Sequence, residues 1–273
     1  MSEAMDALLA VMARLRAPDG CPWDREQTSA SLARYTLEEA YEVLDAIERG
    51  DPAHLRDELG DLLFQVVFHA RIAEEAGSFD FDGVAAGIAA KLERRHPDLF
   101  APTAGVARVA SAAERLVSWE NIKAAERRAK VAREAATAPV SQLDDVPQAL
   151  PAMMRADKLS KRAARVGFDF DVAAQAADKV AEELDEVRVA ATKNPAATPS
   201  PEVFEEVGDL LFAAVNLARK LGVDAESALR AANGKFERRF RGMEHLAAAR
   251  GIEFERLELA AQERLWQEMK RGE

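Results

Sequence analysis

The sequence is poor in cysteine: Cys21 is the only one in 273 residues. An internal disulfide framework and a cluster of thiolate metal ligands are therefore both excluded. Glycine (14) and proline (11) are scarce, which excludes collagen-like, mucin-like and wholly disordered chains. Only 6% of residues are aromatic, against 48% hydrophobic and 31% charged, with alanine abundant. That balance suits a soluble helical protein with one large or two smaller cores. No run approaches the roughly 18 apolar residues of a membrane span. The segment Met1 to Ala10 is acidic and lacks the basic-then-apolar pattern of a signal peptide, so a cytoplasmic protein is expected. Positive charge is also in short supply, with 37 Lys+Arg against 48 Asp+Glu and a net charge of -11. A nucleic-acid backbone calls for a concentrated positive surface, so nucleic acid is excluded as a partner. A phosphorylated small molecule stays open, provided metal ions or local cations supply the charge.

What the chain does contain is itself, twice. Residues 57–71 read DELGDLLFQVVFHAR and residues 205–219 read EEVGDLLFAAVNLAR, an offset of 148. KLERR at 91–95 returns as KFERR at 235–239, and Trp119-x-x-x-Lys123 as Trp266-x-x-x-Lys270. The stretch from Leu37 to Glu42 matches Ala181 to Glu186. Four blocks in one order mark a tandem duplication with half-repeats of about 130 residues. The expected organisation is an N-terminal domain at 1–129, a linker at 130–147 where prolines and small residues interrupt the pattern, and a C-terminal domain at 148–273. Further loop signals fall at 101–110 and 194–201. The rest is helical in period. Leu59, Leu62, Leu63, Val66, Val67 and Ala70 follow the i, i+3, i+4, i+7 template, and 207–218 repeat it. Leu37, Ala40, Tyr41 and Leu44 do the same one helix earlier. No convincing alternating strand occurs, so each half reads as four or five helices and the fold as all-α.

Each half carries acidic residues at helical spacing. Glu38, Glu39 and Glu42 share about one turn, and Glu58 and Asp61 are three apart on the next helix. The second half repeats this as Glu182, Glu183 and Glu186 with Glu206 and Asp209. Residues three and four apart point the same way, so each helix offers a patch of carboxylates. A single such patch is ordinarily a solvated face. Recurrence beside a near-identical Gly-Asp-Leu-Leu-Phe favours a site. Where two such helices meet, like charges raise one another's pKa unless a cation lies between them. Oxygen-only ligands select a hard ion, Mg²⁺ or Mn²⁺. The histidines at 54, 69, 96 and 245 are scattered and form no His-x-x-x-His pair, which argues against zinc.

Lys235, Arg238 and Arg239 lie on one helix, with Lys270 one turn beyond Trp266. They read either as partners of nearby glutamates or as a phosphate clamp, Lys as a point charge and Arg as a bidentate fork. Trp266 reads as core or as a platform for a base. There is no Gly-x-x-x-x-Gly-Lys-Ser/Thr, so no P-loop holds the phosphates.

The paired Glu-Glu-x-x-Glu and Glu-x-x-Asp motifs resemble the MazG-type nucleoside triphosphate pyrophosphohydrolases. Cys-Pro-Trp-Asp at 21–24, Gly-Asp-Leu-Leu-Phe and Lys-Phe-Glu-Arg-Arg resemble their two-domain bacterial members, over essentially the whole chain except the linker. The resemblance implies an all-α dimer that hydrolyses NTPs or dNTPs to the monophosphate and pyrophosphate with Mg²⁺. It implies metal ligation by Glu183, Glu186, Glu206 and Asp209, and in the first half by Glu39, Glu42, Glu58 and Asp61. Lys179, Lys235, Arg239, Trp266 and Lys270 would contact the nucleotide, with Asn233 and Arg238 beside them. Glu182, the carboxylate left over, is a candidate base or further metal ligand, and Lys235 and Arg239 would stabilise the developing charge. Nucleotide-pool cleansing or alarmone control is implied by family membership alone.

The first half keeps its acidic residues and Lys91, Arg94, Arg95, Trp119 and Lys123, but Tyr35 replaces Lys179 and Ala89 replaces Asn233. The second half is therefore expected to carry most of the catalysis. Two other classes compete. A di-iron carboxylate bundle needs two Glu-x-x-His pairs, and only Glu93-x-x-His96 fits. A non-catalytic helical scaffold or nucleotide-binding module would leave the acidic faces merely solvated.

Overall fold

The computed structural model describes residues 2–100, 111–133, 141–193, 198 and 200–272. All regular structure among these residues is helical, and none of the helices is long and apolar enough to cross a membrane. The chain divides into two compact units, Met1–Glu134 and Ala135–Glu273. Within the linker expected at 130–147, residues 134–140 lie outside the described residues, as do the expected loop at 101–110 and most of that at 194–201.

The first unit contains α1 (Glu3–Leu15), α2 (Pro22–Glu26), α3 (Ser29–Arg49), α4 (Pro52–Glu75), α5 (Phe81–Arg95), α6 (Pro97–Phe100) and α7 (Ala112–Arg133). The second contains α8 (Ala152–Ala164), α9 (Ala173–Lys193), α10 (Pro201–Lys220), α11 (Ala225–Ala249), a 3₁₀ turn at Phe254–Arg256 and α12 (Leu259–Arg271). Local sequence accounts for where the central helices start and stop. Thr28 and Ser31 cap α3 reciprocally, and Gly50, at φ 69°, ends it in the left-handed conformation that a Cβ disfavours. Asp51 accepts from the amides of Ala53 and His54 and Pro52 takes the first turn of α4, where no amide donor is required. Ser200 and Pro201 open α10 in the same way. The short connection folds α4 back against α3, and α10 packs on α9. The turn after α1 depends on Gly20, because a Cβ there would lie 2.2 Å from the carbonyl oxygen of Leu15.

Met12, Leu32, Val67 and Phe68 form the core of the first unit, where α1, α3 and α4 meet, with Leu63, Phe64 and Phe81 against them. In the second unit Met243, Ala247 and Leu265 join α11 to α12, with Trp266 and Met269 alongside. Small side chains (Ala176, Ala190, Ala213) are buried in the α9 and α10 pair. The apolar stripe on α4 is wider than the surface that covers it. Val67 and Ala70 are buried, but Leu59 and Val66 remain exposed, as do Leu37 on α3 and Val207 and Leu211 on α10.

Candidate active site

The duplicated acidic motifs fall on the two central helices of each unit. In the first, single carboxylate oxygens of Glu39 on α3 and of Glu58 and Asp61 on α4 lie within 4.8 Å of one another. Glu42, one turn along α3, hydrogen-bonds Glu39. Burial, this shared hydrogen bond and the charges of Glu42, Asp61 and Glu58 push Glu39 up to about 6. His54 Nδ1 approaches Glu58 Oε1 at 3.3 Å.

In the second unit the corresponding group is Glu183 and Glu186 on α9 with Glu206 on α10, again within 4.8 Å. Glu183 is buried, and Glu186 is held above the usual carboxylate range, chiefly by its hydrogen bond with Glu183 and then by burial. Asp209 is exposed and stands outside this group of three. Lys179 lies one turn back on α9, with Nζ 2.8 Å from Glu183 and 2.9 Å from Glu182. Those two carboxylates raise its pKa. Glu182 is thus tied to Lys179 and is largely exposed rather than gathered with the three.

Three converging carboxylates with no cation among them form an incomplete charge arrangement, which a divalent cation would complete. The donors are all oxygen, as Mg²⁺ or Mn²⁺ requires. The residues present therefore fit a metal ion.

The basic residues cluster elsewhere in each unit. On α11 the guanidinium of Arg239 stacks on Trp266 at 5.4 Å from the ring centroid, and Phe236 packs on the same ring at 5.5 Å. Trp266 is half-buried against the Met243 cluster, with the Arg239 guanidinium over its ring. Lys235, Arg238 and Lys270 are exposed and make no ion pair among the described residues; Asn233 is also exposed. The first unit resolves the same pattern differently. Arg94 and Arg95 both pair with Glu126, at 2.8 and 2.6 Å, and Lys123 sits over Trp119 at 4.4 Å. Tyr35 faces Arg34 where the second unit has Lys179.

Comparison with known proteins places the chain in a family. Residues 27–100 match the MazG nucleotide pyrophosphohydrolase domain, and residues 153–235 match the phosphoribosyl-ATP pyrophosphohydrolase family. The chain is 53% identical to the nucleoside triphosphate pyrophosphohydrolase of Escherichia coli strain K12, over 98% of both chains. It belongs to the MazG family. A second MazG relative, the nucleoside triphosphate pyrophosphohydrolase/pyrophosphatase MazG of Thermotoga maritima, is 39% identical over 98% of this chain and 96% of its own. The crystal structure of a mazG-related protein from Thermotoga maritima aligns with 44% of this chain and 98% of its own, at 25% identity and a TM-score of 0.36. The fold is all-α with two tandem MazG-like domains, as the repeat predicts.

Reading the MazG motifs alone misses two features of the second unit. One is that Lys179 is engaged by Glu182 and Glu183, a pairing its i+3 and i+4 spacing could have signalled. The other is an open cavity beside Asn216, at the position where the first unit has Phe68.

Proposed function

We propose that the second unit hydrolyses nucleoside and deoxynucleoside triphosphates to the monophosphate and pyrophosphate with Mg²⁺, and that the first unit contributes little turnover. The observation that carries this is the pair of clusters in a chain 53% identical, end to end, to an enzyme named for that activity. A polyphosphate brought near three carboxylates needs neutralising charge more than covalent help. Held by Glu183, Glu186 and Glu206, with Asp209 one turn beyond Glu206 on α10, Mg²⁺ would supply that charge and acidify a water.

The protein's own groups do the rest. Lys235, Arg238 and Lys270, without ion pairs among the described residues, are available to phosphate oxygens, and Arg239 is held in place by the Trp266 ring. Water breaks the anhydride between the α and β phosphorus atoms, and its proton passes to a carboxylate, for which Glu182 is our candidate. Lys179 pairs with Glu182 and Glu183 and fixes their direction. The first unit lacks that lysine and spends Arg94 and Arg95 on Glu126.

The working form is a homodimer on this reading. Exposed apolar residues on the central helices, Leu37 and Leu59 in one unit and Val207 and Leu211 in the other, would be covered by a second copy. Gly60 and Gly208 fit this, since a Cβ at either meets nothing within 4 Å in its own chain. The protein would act in the cytoplasm, without nucleic acid. A panel of canonical, deoxy and damaged NTPs with Mg²⁺ tests the proposal by pyrophosphate release. Turnover that stops with a chelator is expected. No turnover of any NTP would favour the non-catalytic reading.

A further inference from the structure

The two carboxylate clusters differ in what stands one turn outside them. In the first unit that neighbour is a histidine. His54 and Glu58 are four apart on α4, so they share a face of the helix, and His54 Nδ1 lies 3.3 Å from Glu58 Oε1. The helix cap sets its place, since Asp51 accepts from the His54 amide at 3.2 Å. The other two histidines of the unit are engaged elsewhere. His69 Nε2 meets Thr36 Oγ1 at 2.9 Å, and His96 Nδ1 meets the carbonyl oxygen of Leu92 at 2.7 Å.

The separation of His54 from Glu58 suits two ligands of one ion. Donors about 2.1 Å from a metal, at an angle of roughly 90–109°, stand about 3.0–3.4 Å apart. An ion held by Glu58 thus has an imidazole on the same helix and the carboxylates of Glu39 and Asp61 within 4.8 Å of the Glu58 oxygen. The second unit has no such nitrogen. At the offset of 148 its residue is Glu202, paired with Lys193 Nζ at 2.9 Å. Its one histidine, His245, is exposed on α11 and outside the cluster of three. A cation, Lys179, already lies 2.8 Å from Glu183 there, where the first unit has Tyr35.

We infer that His54 is a nitrogen ligand of a divalent ion in the first unit, and that it selects an ion of the Zn²⁺ class where the second unit takes Mg²⁺. Imidazole is a borderline donor that suits Zn²⁺, whereas Mg²⁺ prefers oxygen and sheds its water reluctantly. The pattern is His-x-x-x-Glu on one helix, completed by a carboxylate from the next, in place of the His-x-x-x-His pair that the chain lacks. With no lysine at its cluster, the first unit holds this ion before any nucleotide arrives. There the ion ties α3 to α4. The inference rests on reading the first cluster as a metal site and not on which unit turns over NTPs.

Isothermal titration of the metal-free full chain with Zn²⁺, and separately with Mg²⁺, tests this without nucleotide. An oxygen-only site also prefers Zn²⁺, so the decisive reading is the change on substitution. His54→Ala should weaken one Zn²⁺ site about ten-fold or more, at least the loss usual for an outer partner of a ligand. Mg²⁺ affinity should stay within about two-fold, which also reports an intact fold. His54→Asp, which returns an oxygen donor, should keep Mg²⁺ binding and still lack the tight Zn²⁺ site. Glu58→Gln should remove that site and Glu206→Gln should leave it. Unchanged Zn²⁺ affinity in His54→Ala overturns the inference, as does loss of the site in Glu206→Gln. So does equal weakening of Zn²⁺ and Mg²⁺, which would make His54 a hydrogen-bond partner that only directs Glu58. Absence of NTP turnover would overturn the proposed function alone.

Discussion

The same acidic motif, placed on the same pair of helices, gathers different carboxylates in the two units. The first brings Glu39, Glu58 and Asp61 together, whereas the second brings Glu183, Glu186 and Glu206 and leaves Asp209 aside. The difference lies in the neighbours. With no cation one turn back, Glu39 is pushed up to about 6, first by burial and then by its hydrogen bond with Glu42. With Lys179 in place, Glu183 stays paired though buried. A duplicated signature therefore does not make two equivalent sites. The residue one turn before it, and whether the arginines on the later helix are already engaged, set what each copy can do.

Variants can break or sharpen this contrast. The largest effect short of the ligands themselves is expected for Arg239→Ala, which removes the cation on Trp266. NTP turnover should fall by about 10²-fold, the scale of losing one preorganised charge stabiliser, and Arg95→Ala should leave it unchanged.

Next comes the brace at the end of each helix pair. The first unit ties Arg16 and Arg71 to Glu75, and the second ties Arg219 and Lys220 to Asp169. The hydrogen bond from Arg219, ahead of the opposing effect of burial, holds Asp169 below its ordinary value of 3.8. A carboxylate whose pKa is lower folded than unfolded adds stability at neutral pH, and that contribution is lost as pH falls through the folded pKa. Asp169→Asn should therefore cost about 2 kcal/mol, roughly thirty-fold in the folding equilibrium, at pH 7. In urea titrations the gap from wild type should persist down to ordinary carboxylate pH and close only below it.

A smaller change is expected for Lys179→Met, about ten-fold in kcat/KM, because the carboxylates remain but lose their fixed direction. Smallest is the gain from Tyr35→Lys. It restores the missing cation of the first unit and should raise residual turnover a few-fold when the second site is disabled, measured as pyrophosphate release.

Much of this was legible before any coordinates. The helical period and the duplication stand in the letters themselves, and residues three and four apart announce shared helix faces. What could not be read was which carboxylates converge. Asp61 and Asp209 occupy equivalent positions in the repeat, yet only Asp61 joins its cluster of three. Nor did the period distinguish a stripe buried within the unit from one left open, as Leu59 and Val66 show against Val67. The cavity is an intermediate case. The exchange of Phe68 for Asn216 stands inside the best-matched block of the repeat, yet the space it opens also depends on Ser160 and on the turn carrying Phe168 and Phe170, which the repeat does not align.

The central claim is that one of two similar sites does the chemistry. It is tested most directly by pyrophosphate release from an NTP with Mg²⁺ in Glu206→Gln and Glu58→Gln measured side by side. Loss of about 10²-fold or more in the first and less than two-fold in the second is the predicted result. Equal losses in both would contradict the account.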